Sequence, residues 1–184
     1  MVVRSPVPVV DHSNRDGRRT VFHVITQMDR GGSARNTFLT VMGHDRDRFR
    51  VGLVYGRSTE RSEADMAQLT VDLHALRQAG VVLLEVPCLV REISLLQDAR
   101  ATLALWRVFR CERPDIVHTH TSKAGALGRV AAWLSGVPVV IHTPHGHIFY
   151  GYYGRVMSGI IRLVERTLAR VTGRIVTLTD RGAQ

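Results

Sequence analysis

The chain has 184 residues, of which 45% are hydrophobic; that is enough for one domain with its own core and too apolar for disorder throughout. No apolar run approaches the roughly 18–20 residues of a membrane-spanning helix, and Pro6 and Pro8 interrupt the first apolar stretch, which reads against a secretory leader. The net charge of +9 implies an acidic partner or surface; Lys123 is the only lysine, an arginine bias that coding composition can produce and that is not read as an RNA-binding signature, and no RNA or DNA motif appears, so no nucleic-acid partner is expected.

Residues 1–19 are charged and proline-containing, and read as a tail ahead of a domain over 20–184. Residues 20–26 (Thr-Val-Phe-His-Val-Ile-Thr) form a buried strand that leads into Gly31-Gly32-Ser33 and a helix over 34–42. In such a strand–glycine–helix turn, backbone N–H groups and the positive helix end can cradle a phosphate. Plain turn chemistry yields the same glycine pair, and the third glycine of the dinucleotide fingerprint is missing. Ser33 is placed to cap the helix. A second strand follows over 49–55, then a loop, a helix over 63–79 stopped by Gly80, and a third strand over 81–86. An amphipathic helix spans 95–111. Cys88 and Cys111 have neither metal-like nor redox-like spacing, which points to a reducing, cytoplasmic setting.

Residues 114–150 organise the chain. Two β-branched runs, 115–117 and 137–141, each end in a histidine-rich tip, and a helical run over 123–135 separates them. A crossover of this length makes the strands parallel and right-handed, so both tips lie on the carboxyl edge of the sheet, where open parallel sheets bind ligands. Topology thus gathers His118, His120, His142, His145 and His147 at one crevice. A helix over 155–172, Gly173 and a sixth strand over 174–179 complete the pattern, and Asp180 reads as the cap of a further helix, so the chain is expected to continue. Six strands alternating with helices predict a doubly wound, mostly parallel, Rossmann-like α/β sheet in the order 3-2-1-4-5-6. The Gly31–Gly32 loop and the tip over 118–123 then face each other across the switch point.

His120, Thr121, Ser122 and Lys123 form a polar tip at a helix start, suited to a hydroxylated or anionic acceptor; helix capping with Lys123 in solvent accounts for them equally. His118 and His142 alternate with apolar neighbours and read as structural. His147, Phe149 and Tyr150 offer aromatic surface to a sugar ring, or form an unspecific apolar lid. Arg155, Arg162, Arg166 and Arg170 share one stripe of the helix over 155–172. An anionic membrane face is compatible with that stripe, although a solvated face opposite a core face is the favoured reading.

The motifs Gly31-Gly32-Ser33-Ala34-Arg35, Pro-Asp-Ile-Val-His-Thr-His-Thr-Ser-Lys-Ala-Gly and Gly-Val-Pro-Val-Val-Ile-His-Thr-Pro-His-Gly-His make residues 20–184 resemble the N-terminal half of a family 4 glycosyltransferase. That family is retaining and has the two-domain GT-B architecture. Ser33 and Ala34 replace the commoner Ala-Glu pair, which removes a carboxylate and leaves Arg35. The resemblance implies an acceptor-side domain, with a C-terminal donor-binding domain absent here and no turnover by this part alone. It implies a nucleotide-sugar donor, a glycan or lipid-linked acceptor and no bound metal. It also implies a cytoplasmic enzyme, peripheral at the inner membrane face if the basic helix meets lipid. His145 becomes the catalytic candidate, a stabiliser of charge as the sugar–phosphate bond opens. Gly31 and Gly32 become donor-diphosphate ligands. Arg35, His120, Thr121, Ser122, Lys123, His147 and Tyr150 become acceptor contacts. Three competing readings are a histidine-based metal hydrolase, which lacks a nearby carboxylate apart from Asp29; a non-catalytic nucleotide- or glycan-binding module; and half of a sugar-nucleotide epimerase of the same architecture.

Overall fold

The computed structural model describes residues 17–57, 62–145 and 155–177, of which 155–158 and 160–162 by their backbone. Six strands form one parallel sheet in the order β3-β2-β1-β4-β5-β6. They are β1 (Arg19–Ile25), β2 (Phe49–Gly56), β3 (Val82–Val86), β4 (Ile116–His120), β5 (Val139–Thr143) and β6 (Arg174–Ile175). The connecting helices are α1 (Gly32–Met42), α2 (Glu63–Gln78), α3 (Leu95–Glu112), α4 (Ser122–Ser135) and α5 (Arg155–Ala169).

The two faces of β1 divide the core, because alternate residues of a strand point to opposite sides. Phe22 and Val24 pack with Ala101, Leu105, Val108 and Phe109 of α3 and Ala124, Ala131 and Ala132 of α4. Val21 and Ile25 pack with Ala34 and Val41 of α1 and Leu69, Leu73 and Leu76 of α2. Local chemistry sets the element ends. Ser62 and Asp65 close a reciprocal capping box on α2. Arg113 and Gly136, both left-handed, terminate α3 and α4. Asp115 accepts from the backbone N–H of Thr20 at 2.7 Å, which ties the start of β4 to β1.

The elements expected within the described residues are present, several with shifted ends, and the helix expected after Asp180 lies outside the described residues. β4 and β5 run two to three residues further than expected, to His120 and Thr143, because each has a parallel neighbour along its full length: His120 pairs with Thr143 and His118 with Ile141. His118, His120 and His142 are therefore strand residues and not tip residues. Helix α1 starts at Gly32, one residue before Ser33, and Gly31, with no side-chain cap, is its N-cap. Helix α5 ends at Ala169 rather than 172, and β6 is described over Arg174–Ile175.

Candidate functional site

The loop after β1 and the loop after β4 meet at the carboxyl edge of the sheet, as parallel neighbours must. The Thr26 and Thr121 hydroxyls are 3.1 Å apart, and Thr26 Oγ1 also accepts from the N–H of Ala124. Thr121 sits at φ 61°, ψ 164° as the N-cap of α4, a conformation that a β-branched residue rarely adopts. Its N–H donates to the Thr143 carbonyl at the end of β5. Helix α4 approaches the sheet through glycines: a Cβ at Gly125 would lie 2.4 Å from the ring of His142, and one at Gly128 would lie 2.7 Å from Thr119. Only glycine allows that approach, and it brings the start of α4 to the strand ends.

In the loop after β1, the N–H of Gly31 donates to Asp29 Oδ1 at 2.8 Å. Gly31 and Gly32 are exposed and begin α1, so the first N–H groups of the helix point away from its body. Arg35 is exposed on the first turn of α1, its guanidinium 5.1 Å from the Phe38 ring. Lys123 does not stand free. Its ammonium pairs with Asp98 at 2.6 Å and donates to the Glu92 carbonyl, so it links α4 to the start of α3. Ser122 is half-buried at the start of α4.

His145, two residues beyond β5, is half-buried, and its Nε2 lies 3.0 Å from His120 Nδ1. Its own Nδ1 is buried and has no partner among the described residues. His120 is fully buried, with His23 Nδ1 3.0 Å from its Nε2. It supports His145 from beneath and has no nitrogen left for an acceptor, contrary to the tip position expected for it. His23 Nε2 in turn lies 2.9 Å from His44 Nε2. His118 lies against His120 with ring centroids 4.2 Å apart and the rings tilted by 33°, and it meets the Thr143 hydroxyl at 2.8 Å. His142 turns to the opposite face of the sheet and bonds the Thr119 hydroxyl at 3.0 Å. The expected contacts His147 and Tyr150 lie outside the described residues.

Burial keeps this cluster uncharged. Desolvation, then the neighbouring His120, His118, His44 and Arg46, holds His23 well below the usual imidazole range. His120 is pushed down to about 2 and His118 to about 4, in both cases first by burial. Burial, then Arg129, pushes His142 down to about 3. His44 and His145 are lowered too, chiefly by burial. Ring nitrogens of His23, His118 and His120 lie within 4.8 Å of one another, close enough to consider a cation. Those rings already bond His44, one another and Thr143, no carboxylate belongs to the set, and the 3.0 Å His23–His120 contact is shorter than the about 3.3 Å that two nitrogens on a tetrahedral zinc require. A cation there would have to break the His23–His120 bond.

His23 and His44 were not among the residues expected at the site. The signal for His23 is register: it pairs directly with His118, two residues before His120 on the same face. His44, after α1, has no comparable signal, because only folding brings it to β1.

The model of the glycosyl transferase 4-like domain family matches residues 23–184. The UDP-Gal:α-D-GlcNAc-diphosphoundecaprenol α-1,3-galactosyltransferase of Escherichia coli is 42% identical over 93 residues, covering 50% of this chain and 24% of that relative. The capsular polysaccharide biosynthesis glycosyltransferase CapM of Staphylococcus aureus is 30% identical over 86 residues, covering 47% of this chain and 23% of its own length. The aligned part is thus about a quarter of each curated relative. Among solved structures, a UDP-N-acetylglucosamine 2-epimerase from Listeria monocytogenes superposes with a TM-score of 0.62 at 12% identity, over 90% of this chain and 40% of that one. That likeness concerns the fold alone.

Proposed function

The chain belongs to the glycosyl transferase 4-like family, and we propose that it is the acceptor-side domain of a retaining glycosyltransferase that moves a sugar from a nucleotide-sugar donor to a glycan or lipid-linked acceptor. The lipid-linked acceptor follows the printed activity of the Escherichia coli relative. A partner domain carries most of the donor. The observation that carries the reading is His145: one nitrogen is held by His120 and the other has no protein partner among the described residues. An unpartnered buried nitrogen beside the carboxyl edge is suited to a substrate oxygen, since leaving it unmet costs free energy. His145 steadies charge as the sugar–phosphate bond opens, and the donor phosphate takes the acceptor proton. Gly32 offers its N–H at the start of α1 to the diphosphate, and Gly31 does so only by releasing Asp29. Arg35, Thr121 and Ser122 border the acceptor, joined by His147 and Tyr150. Lys123 reaches an acceptor only by leaving Asp98, and His120 contributes by holding His145.

The reaction needs no metal in this reading, because the clustered histidine nitrogens are already committed to one another. A cytoplasmic enzyme meeting lipid-linked acceptors at the inner membrane face fits the proposal; among the described residues no helix is long and apolar enough to cross a membrane. The test uses the full-length protein with a panel of nucleotide sugars and undecaprenyl-diphosphate-linked acceptors. His145→Ala is expected to lower kcat by about 10²–10⁴-fold with the fold intact, the range for one positioned acid–base or stabilising group. Activity is expected to survive a chelator. Near-normal turnover of His145→Ala, or loss of activity in chelator, would overturn the reading.

A further inference from the structure

Four imidazoles run in an unbroken line from the crevice into the sheet. His145 Nε2 meets His120 Nδ1 at 3.0 Å, His120 Nε2 meets His23 Nδ1 at 3.0 Å, and His23 Nε2 meets His44 Nε2 at 2.9 Å. Successive ring centroids are 5.2, 5.3 and 5.0 Å apart. His23 and His120 are fully buried, while His44 and His145 are half-buried at the two ends.

A neutral imidazole carries one N–H and one bare nitrogen. Each inner ring must then donate to one neighbour and accept from the other. Only two proton arrangements satisfy all three contacts. In the first, His44 holds its proton on Nε2, and His23, His120 and His145 hold theirs on Nδ1. In the second, His44 holds it on Nδ1 and the other three on Nε2. Any mixed arrangement sets two N–H groups, or two bare nitrogens, against each other in a buried site, which is costly.

We infer that His44, His23, His120 and His145 form one tautomeric relay, in which the state of His44 decides whether the free Nδ1 of His145 is a donor or an acceptor. His44, His23 and His120 are positioning residues for His145. The relay also accounts for one proton at each end. In the second arrangement the proton that the donor phosphate has taken from the acceptor passes on to His145 Nδ1 and displaces the Nε2 proton toward His120. The shift repeats through His23, and His44 releases its Nδ1 proton to solvent, which leaves the first arrangement and no charge on any ring. The groups acting on the line are His118, lying against His120, His142 from the opposite face, and Arg46 beside His44; each disfavours a resident positive charge.

The consequence for catalysis rests on the role proposed for His145, while the relay itself rests on geometry, so the experiment has two arms. Nitrogen-15 NMR of the full chain, labelled at histidine, reads the tautomers at pH 7.5. His23, His120 and His145 are expected to share one protonated nitrogen type, with His44 of the opposite type, or to show equal fractions if the two arrangements interconvert. Different types on any two of His23, His120 and His145 would overturn the relay, and no variant is needed to see it. In the full-length transferase, His44→Phe is expected to lower kcat about fivefold, the worth of one neutral hydrogen bond, and to displace the pH–rate profile, with both KM values unchanged. His44→Gln, whose amide can serve His23 Nε2, is expected to recover most of the loss. An undisplaced profile in His44→Phe would also overturn the relay. Failure of the transferase reading would show instead as activity without His145, with the tautomer pattern unchanged.

Discussion

Removing the carboxylate of Glu165 strands a charge inside the protein. Arg129 in α4 is fully buried. Its Nη2 donates to both Glu165 oxygens at 2.7 and 2.8 Å, and its Nε donates to the Gly125 carbonyl at 2.9 Å. Nη1 has no partner, so the guanidinium depends on Glu165 for its only counter-charge among the described residues. Breaking a buried pair from one side costs about 3–5 kcal/mol. Glu165 keeps 27% of its side-chain exposure, which lets water enter and places Glu165→Ala near the lower end, about 3 kcal/mol. For a chain of this size that is a fall of roughly 6–12 °C in Tm. The double variant Arg129→Met/Glu165→Leu removes both charges and retains the packing volume, and is expected within about 1 kcal/mol of the parent. Urea unfolding of the parent, Arg129→Met, Glu165→Leu and the double variant closes the cycle, with Glu165→Ala measured beside it. A Glu165→Ala effect under about 1 kcal/mol, or a double variant as unstable as the two singles added, would refute the view that α4 is held by a desolvated ion pair.

Acid should destabilise the fold earlier than usual. The folded-state values of His23, His118, His120 and His142 lie below that of a free imidazole. The unfolded chain therefore binds protons first, and the stability these rings contribute is fully present above about pH 6.5 and lost as pH falls through their folded-state values, about 4 for His118, about 3 for His142 and about 2 for His120. Each such ring adds a slope of up to about 1.4 kcal/mol per pH unit; a urea midpoint unchanged from pH 7 to 5 would contradict this. Lys123→Met is expected to raise the acceptor KM about tenfold, the scale of one charge-assisted bond, and Asp98→Asn to lower it by freeing the ammonium. Equal destabilisation by the two variants with an unchanged KM would give the pair a structural role only.

The sheet was legible because its signals are local or periodic. Glycine stops, β-branched runs and helical spacing set the element types, and the parallel crossover rule gave the order around β1. Strand ends were less legible. The polar residues of His118–His120 look like a tip, yet ladder bonds to β5 hold them in the strand. The same misplacement hid what His120 does, since a histidine in a strand spends both nitrogens on neighbours that topology supplies. Lys123 looked free because its partner Asp98 lies in a different helix. His44 was invisible as a site residue for the same reason: a hydrogen bond across 21 residues leaves no trace in spacing.

The central place of β1 bears on how the chain assembles. One neighbour, β2, follows after a single helix, whereas the contact between His23 and His120 spans 97 positions. During synthesis the β1–β2–β3 half can form while the other edge of β1 stays open, with unpaired backbone groups and an unsatisfied His23, until β4 emerges. Docking of β4 is then a late, slow event of folding, and it is the event that joins His120 to His23.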